Sequence, residues 1–226
     1  MAAPPSLRLL LLRHGQTHAN VAGALDTGEP GLDLTDLGRA QAAAAARVLG
    51  DTGVEGIFVS RLVRTQQTAQ PLVTGARLPH RVLPGLHEIS AGDYEMATDP
   101  DSVRGYLTTV HHWVHGELGA RMPGGETGEE FLERYDADVA RVAESGARTA
   151  LVVSHGAAIR AWVAARVPEV AGTPEATSPL HNTGLVTVEG HPARGWRLVE
   201  WHADPLGGHL LEDEAAPDPT GEPVDE

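Results

Sequence analysis

The stretch LLLLRHGQTHAN, residues 9–20, joins four consecutive leucines to an arginine, a histidine and a glycine. Together with Leu7 and Arg8, the run LRLLLL is apolar without alternation, which is typical of a strand that is buried on both faces. Arg13 and His14 follow directly where this strand would end. Because ligands bind at the carboxyl ends of strands in open α/β sheets, we expect both side chains at a ligand-binding edge.

Short apolar strands and helical patterns alternate along the rest of the chain. The predicted strands are residues 56–60, 149–154, 185–188 and 196–201, the last two as a pair around EGHPARG. The predicted helices are residues 35–50, 60–73, 127–146 and 155–167, and the first three have Thr35, Ser60 and Thr127 as N-caps. This alternation predicts an α/β protein, a three-layer α/β/α sandwich with a mainly parallel central sheet.

The composition limits the functions that are open to the chain. A formal net charge of −14 disfavours nucleic-acid or anionic-membrane partners, because both need a basic face. The chain has no cysteine, which excludes disulfides and zinc–thiolate sites and is compatible with the cytoplasm. The N-terminal residues do not resemble a signal peptide, and no apolar run approaches the length of a membrane span, about 20 residues. We therefore expect a cytoplasmic protein.

The chain divides into a body and a tail. We expect residues 1–203 to form a single catalytic domain, with a less regular segment from about 84 to 125 as a partial lid. Residues 204–226 contain eight acidic residues and no lysine or arginine, and together with their prolines they predict a disordered tail. The sequence leaves the oligomeric state open between a monomer and a homodimer.

Three junctions at strand ends carry polar residues of the same chemical kind. They are Arg13-His14-Gly15, Ser60 to Arg64, and Ser154-His155-Gly156. Two arginines and two histidines close to helix N-termini are suited to bind a phosphate, because the guanidinium fork matches two phosphate oxygens and free helix N–H groups favour an anion. The sequence therefore predicts a phosphate site if these junctions meet.

The same segments resemble the histidine phosphatase superfamily, also called phosphoglycerate mutase-like. LLRHGQTHAN is similar to its Arg-His-Gly motif, SRLVRTQQTA to the segment with its second arginine, and LHEISAG to the segment with its acid. LTDLGRAQA, PGGET and VVSHGAAIRA occur in the family's order. The resemblance covers residues 7 to about 188 and implies the phosphoglycerate mutase-like fold.

The resemblance implies hydrolysis of a small phosphorylated metabolite without a metal or another cofactor. It makes His14 the nucleophile that forms a phosphohistidine, and Glu88 the general acid and then base. It assigns Arg13, Arg64 and His155 to the phosphoryl oxygens. The residues that would contact the substrate are Asn20, Gln16, Thr17, Gly156 and Tyr94.

Other functions remain open at this stage. Phosphoglycerate mutase-type transfer is one alternative, although mutases of the family have Glu-Ser after Arg-His-Gly and this chain has Gln-Thr. A non-catalytic phosphate-binding module of the same fold is another. Many phosphatases of the family also have glycine where this chain has Met96, which leaves the substrate undefined.

Two further motifs suggest other kinds of site. His111 or His112 lies at a zinc-binding spacing from His115, but a surface or packing role is favoured because no carboxylate motif accompanies them. The segment VVSHG resembles the end of a nucleophile elbow, but valine at position 152 replaces the glycine that the elbow requires.

Overall fold

The computed structural model describes residues 6–171, 173 and 177–221. The strands in these residues are β1 (Leu7–Arg13), β2 (Gly56–Val59), β3 (His80–Val82), β4 (Thr149–Ser154), β5 (Leu185–His191) and β6 (Gly195–His202). They form one sheet of order β3-β2-β4-β1-β5-β6. β1 to β4 run parallel, whereas β5 and β6 form an antiparallel hairpin beside β1. The prediction of a mainly parallel sheet is confirmed.

The α-helices of the described residues are α1 (His18–Ala22), α2 (Asp36–Leu49), α3 (Val63–Ala76), α4 (Pro100–Val114), α5 (Gly128–Glu144) and α6 (Gly156–Arg166). Thr35 caps α2, and Thr127 forms a capping box with Glu130 at the start of α5, as their spacing predicts. The prediction that Ser60 caps α3 is wrong, because the N-cap is Leu62. None of the helices in the described ranges is long and apolar enough to cross a membrane.

Alternate side chains of β1 pack into two separate apolar cores. Leu9 and Leu11 belong to the larger core, which also contains buried residues of α4, α5 and α6. Leu10 and Leu12 belong to the second core, with buried residues of α2 and α3. Helices therefore cover both faces of the sheet, which explains why β1 is a continuous leucine run and confirms the three-layer arrangement.

The segment from about 84 to 125 is anchored in the larger core. It contains two 3₁₀ turns (Pro84–Leu86 and Gly92–Tyr94) and α4. Tyr106 and Trp113 of α4 are fully buried in that core, and the indole N–H of Trp113 donates to the carbonyl oxygen of Ala120 at 2.8 Å. This anchoring positions the loop before α4, which borders the candidate site.

The acidic segment after residue 203 follows a defined path in the structure. A 3₁₀ turn at His209–Leu211 lies on α2, where the side-chain amide of Gln41 donates to the carbonyl oxygen of Leu211 at 2.7 Å. Asp218 and Thr220 are buried. This path is not expected from the composition, because composition does not reveal a buried arginine with which an acidic residue can pair. Residues 222–226 lie outside the described residues.

Candidate active site

The sheet topology brings the three polar junctions together. β1 and β4 are neighbours in register, with Arg13 opposite Ser154, and β2 lies on the other side of β4. The backbone N–H of His14 donates to the carbonyl oxygen of Ser154 at 3.0 Å. The ring centroids of His14 and His155 are consequently 5.2 Å apart, in an edge-to-face arrangement.

The backbone carbonyl group of Gly15 sets the tautomer of the neighbouring His14. Its Nδ1 lies 2.8 Å from the carbonyl oxygen of Gly15, an acceptor, so Nδ1 holds the proton and Nε2 has the free lone pair. The ring is buried, and burial, followed by the charges of Arg64 and Arg13, lowers its pKa well below the ordinary value. His14 is therefore a neutral base with a fixed orientation at neutral pH.

A close backbone contact explains the glycine that follows His14. A Cβ on Gly15 would lie 2.6 Å from the carbonyl oxygen of Gly38 at the start of α2. The N–H of Gly15 donates to the hydroxyl of Thr68 on α3 at 2.9 Å. These contacts hold the loop after β1 between α2 and α3.

Arg13 is fully buried and binds a carboxylate of the C-terminal segment. Its Nη1 lies 2.7 Å from one oxygen of Asp218 and donates to the carbonyl oxygen of Leu180 at 2.8 Å. Its Nη2 donates to the other Asp218 oxygen at 2.7 Å, and the side-chain amide of Asn20 donates to the same oxygen at 2.8 Å. Arg13 and Asn20 thus form one anion-binding pair.

Arg64, near the start of α3, reaches the site from the opposite side. Its Nη1 is 3.3 Å from the Asp26 carboxylate, and its Nη2 donates to the backbone carbonyl oxygen of Asp26 at 2.8 Å. Its Nε is buried without a hydrogen-bond partner among the described residues. Asp26 stands in a loop without a recognisable motif, so the sequence alone does not point to it.

Glu88 is held at the N-terminus of α6. One carboxyl oxygen accepts from the backbone N–H of Ala158 at 2.8 Å and of Ile89 at 2.9 Å, and the other accepts from Ala157 at 3.3 Å. Burial raises the pKa of Glu88, although these N–H groups and the charges of Arg64 and Arg13 act against it. A buried carboxyl group with a raised pKa can carry a proton at mildly acidic pH.

His155 caps α6 without a side-chain bond to that helix. Its Nε2 lies 2.8 Å from the hydroxyl of Ser60, and its Nδ1 is buried with no partner among the described residues. Burial, followed by the charges of Arg64 and His14, lowers the pKa of His155 well below its ordinary value. A phosphate dianion beside the ring would act in the opposite direction.

Two hollows adjoin these groups. A small hollow of about 10 Å³ lies between the arginine and carboxylate side chains. It is lined by His14, Thr17, Ala19, Asn20, Ala24, Asp26, Arg64, Glu88 and Thr220. A wider hollow of about 400 Å³ is lined by Thr27, Gly28, Glu29, Leu62, His87, Ser90, Gly92, Glu95 and Gly124.

Three of the residues predicted to contact the substrate lie in different places relative to the two hollows. Gln16 points to the C-terminal segment, where its amide donates to Asp213 at 2.8 Å. Thr17 lines the small hollow and caps α1. Tyr94 lines neither hollow, and its ring lies against Gly105 of α4. The prediction that Tyr94 contacts the substrate is therefore not supported by its position.

The other two contact residues lie at the site. Asn20 binds the Asp218 carboxylate, as described above. Gly156 begins α6, and a Cβ there would lie 2.2 Å from the carbonyl oxygen of Thr220 and 3.0 Å from Nε of Arg13. Met96 adopts a left-handed backbone with φ of 59° and is half exposed.

Arg134 on α5 is a second residue that sequence analysis did not identify. Its guanidinium donates to the carbonyl oxygens of Gly85 at 2.7 Å, His87 at 2.9 Å and Glu88 at 3.0 Å. It also pairs with Glu126 at 2.6 Å. Arg134 thereby fixes the backbone that carries Glu88, and no local sequence pattern points to a contact 46 residues away.

His111 on α4 and His115, which caps the C-terminus of that helix, line neither of the two hollows. The rings of His111 and His115 are 4.0 Å apart between centroids, one turn apart on the helix. In the described part of the chain, no group of three or more histidine, cysteine or acidic side chains is arranged to hold a metal ion.

Comparisons with known proteins agree with this fold. Residues 9–204 match the family model of the histidine phosphatase superfamily (branch 1). The chain is 33% identical over 216 residues to the glucosyl-3-phosphoglycerate phosphatase of Mycobacterium tuberculosis, covering 87% of this chain and 94% of that protein. The native structure of the mycobacterial enzyme of that name superimposes with a TM-score of 0.74 at 31% identity, covering 88% of this chain and 100% of the other.

A longer relative matches over nearly the same part of the chain. The PE-PGRS family protein PE_PGRS11 of Mycobacterium tuberculosis is 37% identical over 219 residues, which are 89% of this chain and 37% of that protein. The chain thus spans little more than a third of this relative's length. The chain belongs to the histidine phosphatase superfamily, and its curated relatives include phosphatases.

Proposed function

We propose that the protein hydrolyses the phosphomonoester of a small metabolite through a phosphohistidine on His14, without a metal ion. The observation that carries the proposal is the gathering of His14, Arg64 and Glu88 around one small hollow, with His155 and Arg13 beside it. Homologous phosphatases support the reaction class. The tautomer of His14 supports its role, since Nε2 has its lone pair available for phosphorus.

In the first step, Nε2 of His14 forms a bond to phosphorus, and the bond from phosphorus to the ester oxygen breaks. The proton on the Glu88 carboxyl group goes to the leaving alkoxide oxygen. In the second step, the Glu88 carboxylate takes a proton from water, the water oxygen bonds to phosphorus, and the bond to His14 breaks. One carboxyl group serves both steps because the second step reverses the proton transfer.

The charged groups around His14 would stabilise the phosphoryl oxygens during both transfers. Arg64 borders the hollow, and its Nε has no other partner among the described residues. Nδ1 of His155 is likewise without a partner there. In the tautomer in which Ser60 donates to Nε2, or in the protonated ring, Nδ1 carries a proton that can be donated to a phosphoryl oxygen. Preorganised donors of this kind stabilise developing charge without the cost of reorganisation.

The wider hollow supports a neutral, hydroxyl-rich leaving group. Its polar side chains are the hydroxyls of Thr27 and Ser90, the carboxylates of Glu29 and Glu95 and the imidazole of His87, and it has no arginine among the described lining residues. A leaving group with further phosphates or carboxylates would meet like charge there. Sugar and polyol phosphates are therefore the substrate class that we expect.

The proposal is tested with the purified protein and a panel of phosphomonoesters in the presence of EDTA. We expect release of inorganic phosphate, faster from sugar monophosphates than from sugar bisphosphates or phosphoglycerates. His14→Asn should reduce kcat by at least about 10³-fold, because the nucleophile is lost. Phosphate on His14, detected by intact mass after a rapid quench, should be present in the wild type and absent in the variant.

Three results would contradict the proposal. Full activity of His14→Asn would exclude His14 as the nucleophile. Activity that is lost with EDTA and returns with a divalent metal would exclude a metal-independent reaction. Transfer of the phosphoryl group within phosphoglycerate, without release of inorganic phosphate, would identify a mutase instead.

A further inference from the structure

The candidate phosphate site already binds an anion that the chain itself supplies. Both carboxylate oxygens of Asp218 lie 2.7 Å from the guanidinium nitrogens of Arg13, and the amide of Asn20 donates to one of them at 2.8 Å. An arginine fork binds two oxygens of a phosphate with this same two-pronged geometry. The Asp218 carboxylate therefore makes the contacts that a phosphoryl group would make with Arg13 and Asn20.

The backbone around Asp218 is fitted to the site on both sides. Arg160 of α6 donates to the carbonyl oxygen of Thr220 at 2.9 Å, and the N–H of Leu180 donates to the carbonyl oxygen of Gly221 at 3.0 Å. Thr220 lies so close to α6 that a Cβ on Gly156 would be 2.2 Å from its carbonyl oxygen. The segment is therefore a built part of the site.

This segment leaves too little room for a substrate. The hollow that His14, Arg64, Glu88 and Thr220 line together measures about 10 Å³, which is space for about one water molecule. A phosphoryl group has a phosphorus atom and several oxygens, so it cannot enter while Thr220 stays in place. The hydroxyl of Thr220 accepts from Nη2 of Arg13 at 2.9 Å, the same nitrogen that binds Asp218, so the two residues are held at the site together. The closed arrangement and substrate binding exclude each other.

The charge balance makes this closure reversible. Burial alone would raise the pKa of Asp218, but the ion pair with Arg13 and the bond from Asn20 outweigh burial and lower the pKa, so the carboxylate stays charged at neutral pH. Part of the attraction in a buried ion pair is offset by desolvation of both groups. A phosphoryl dianion presents more charge to the same guanidinium group and can displace the carboxylate.

We propose that Asp218 is an internal competitor for the phosphate site and thereby determines the affinity for substrate. The proposal rests on the proposed function, because the competition affects turnover only where Arg13 binds the phosphoryl group of the substrate. The apparent affinity is reduced in proportion to the fraction of molecules with an open site, so closure of about 90% of them weakens binding about tenfold.

The test uses the full chain with Asp218→Asn, which removes the charge and keeps the size. Glu214→Gln is the matched control, because it makes the same change in charge on an exposed residue of the same segment. We expect Asp218→Asn to lower KM for p-nitrophenyl phosphate, and Kd for inorganic phosphate, by at least about tenfold, with kcat within about twofold. Glu214→Gln should change neither constant.

Unchanged or higher KM and Kd in Asp218→Asn would overturn the proposal. The phosphate titration separates it from the proposed function: if no ester is hydrolysed, the phosphatase assignment fails, while the Kd values still decide the role of Asp218. If Asp218→Asn does not fold, the wild type decides by amide hydrogen exchange. Saturation with inorganic phosphate should speed exchange in residues 207–221, and unchanged or slower exchange there would refute the competition.

Discussion

The backbone N–H of Ala158 donates a 2.8 Å hydrogen bond to the carboxyl group of Glu88. This bond joins the proposed general acid to the first turn of α6, directly after His155. The N-terminus of a helix stabilises a carboxylate, whereas burial favours the protonated acid. Burial has the larger effect here and raises the pKa of Glu88, so the bond orients the carboxyl group while its pKa stays above the ordinary value.

Glu88→Gln should separate substrates by the quality of their leaving group. On a sugar phosphate we expect kcat to fall by about 10²–10³-fold, because the alkoxide leaves without a proton. On p-nitrophenyl phosphate, whose leaving group needs no proton, the loss should be less than about tenfold. Glu117→Gln is the control, because Glu117 is an exposed residue of the same segment from about 84 to 125, and it should retain full activity. Equal losses on both substrates would argue against a general acid.

Arg134→Met should impair the site from outside it. The variant keeps the aliphatic stem but loses the three bonds to the carbonyl oxygens of residues 85–88 and leaves Glu126 without its partner. We expect the free energy of unfolding to fall by about 2–3 kcal/mol, since the pair is mostly buried. On a sugar phosphate, kcat should fall while KM changes little, because Glu88 shifts and the arginines at the phosphate do not.

The control for Arg134→Met is Arg104→Met, which removes an exposed arginine from α4. This variant should match the wild type in both stability and kcat. Urea denaturation and steady-state kinetics on the same preparations give both quantities. If Arg134→Met lost stability but kept its kcat, the residue would have a structural role only.

Stability should fall between pH 7.5 and pH 5.5. His14 and His155 both have lowered pKa values in the folded protein, so they contribute stability above the ordinary histidine pKa, and this stability is lost as the pH falls through it. Glu88 acts in the opposite sense, because its raised pKa stabilises the fold at low pH and this is lost as the pH rises through its folded pKa. The two histidines together outweigh the one glutamate, so the free energy of unfolding decreases as the pH falls.

Urea denaturation at the two pH values measures this effect. His155→Asn should show a smaller decrease than the wild type, since one of the two buried imidazoles is removed. His18→Asn, which replaces an exposed histidine, should show the same decrease as the wild type. A decrease of equal size in His155→Asn would mean that other groups cause the pH dependence.

Met96→Gly should stabilise the protein slightly. Met96 has a positive φ, which costs a residue with a Cβ about 1–2 kcal/mol, while glycine costs about 0.5–1 kcal/mol in chain entropy. A gain of about 0.5–1 kcal/mol should follow, seen as a higher melting temperature. Val48→Gly, at a similarly exposed position inside α2, should instead destabilise by about 0.3–0.5 kcal/mol, the difference in helix propensity between valine and glycine. Destabilisation by Met96→Gly would show that the Met96 side chain makes stabilising contacts.

Local patterns predicted those parts of the structure that depend on neighbours in the chain. The caps at Thr35 and Thr127, the buried strand β1, and the position of Arg13 and His14 at its end all follow from a few adjacent residues. Contacts between distant residues were not predictable in this way. Ser60 and His155 are 95 residues apart, and Arg13 and Asp218 are 205 apart. Nothing near Ser60 distinguishes a helix cap from a partner for a histidine.

The central position of β1 has a consequence for how the chain is made. Its hydrogen-bonded neighbours are β4 and β5, so Leu7–Arg13 leaves the ribosome about 140 residues before its first partner strand exists. During that interval the apolar leucine run has no partner strand and is exposed to aggregation. Arg13 and His14 at its end are likewise without the residues that surround them in the folded protein. A molecule whose synthesis stops before β4 therefore contains His14, the proposed nucleophile, but lacks the strand that brings His155 beside it and that covers one edge of the leucine run.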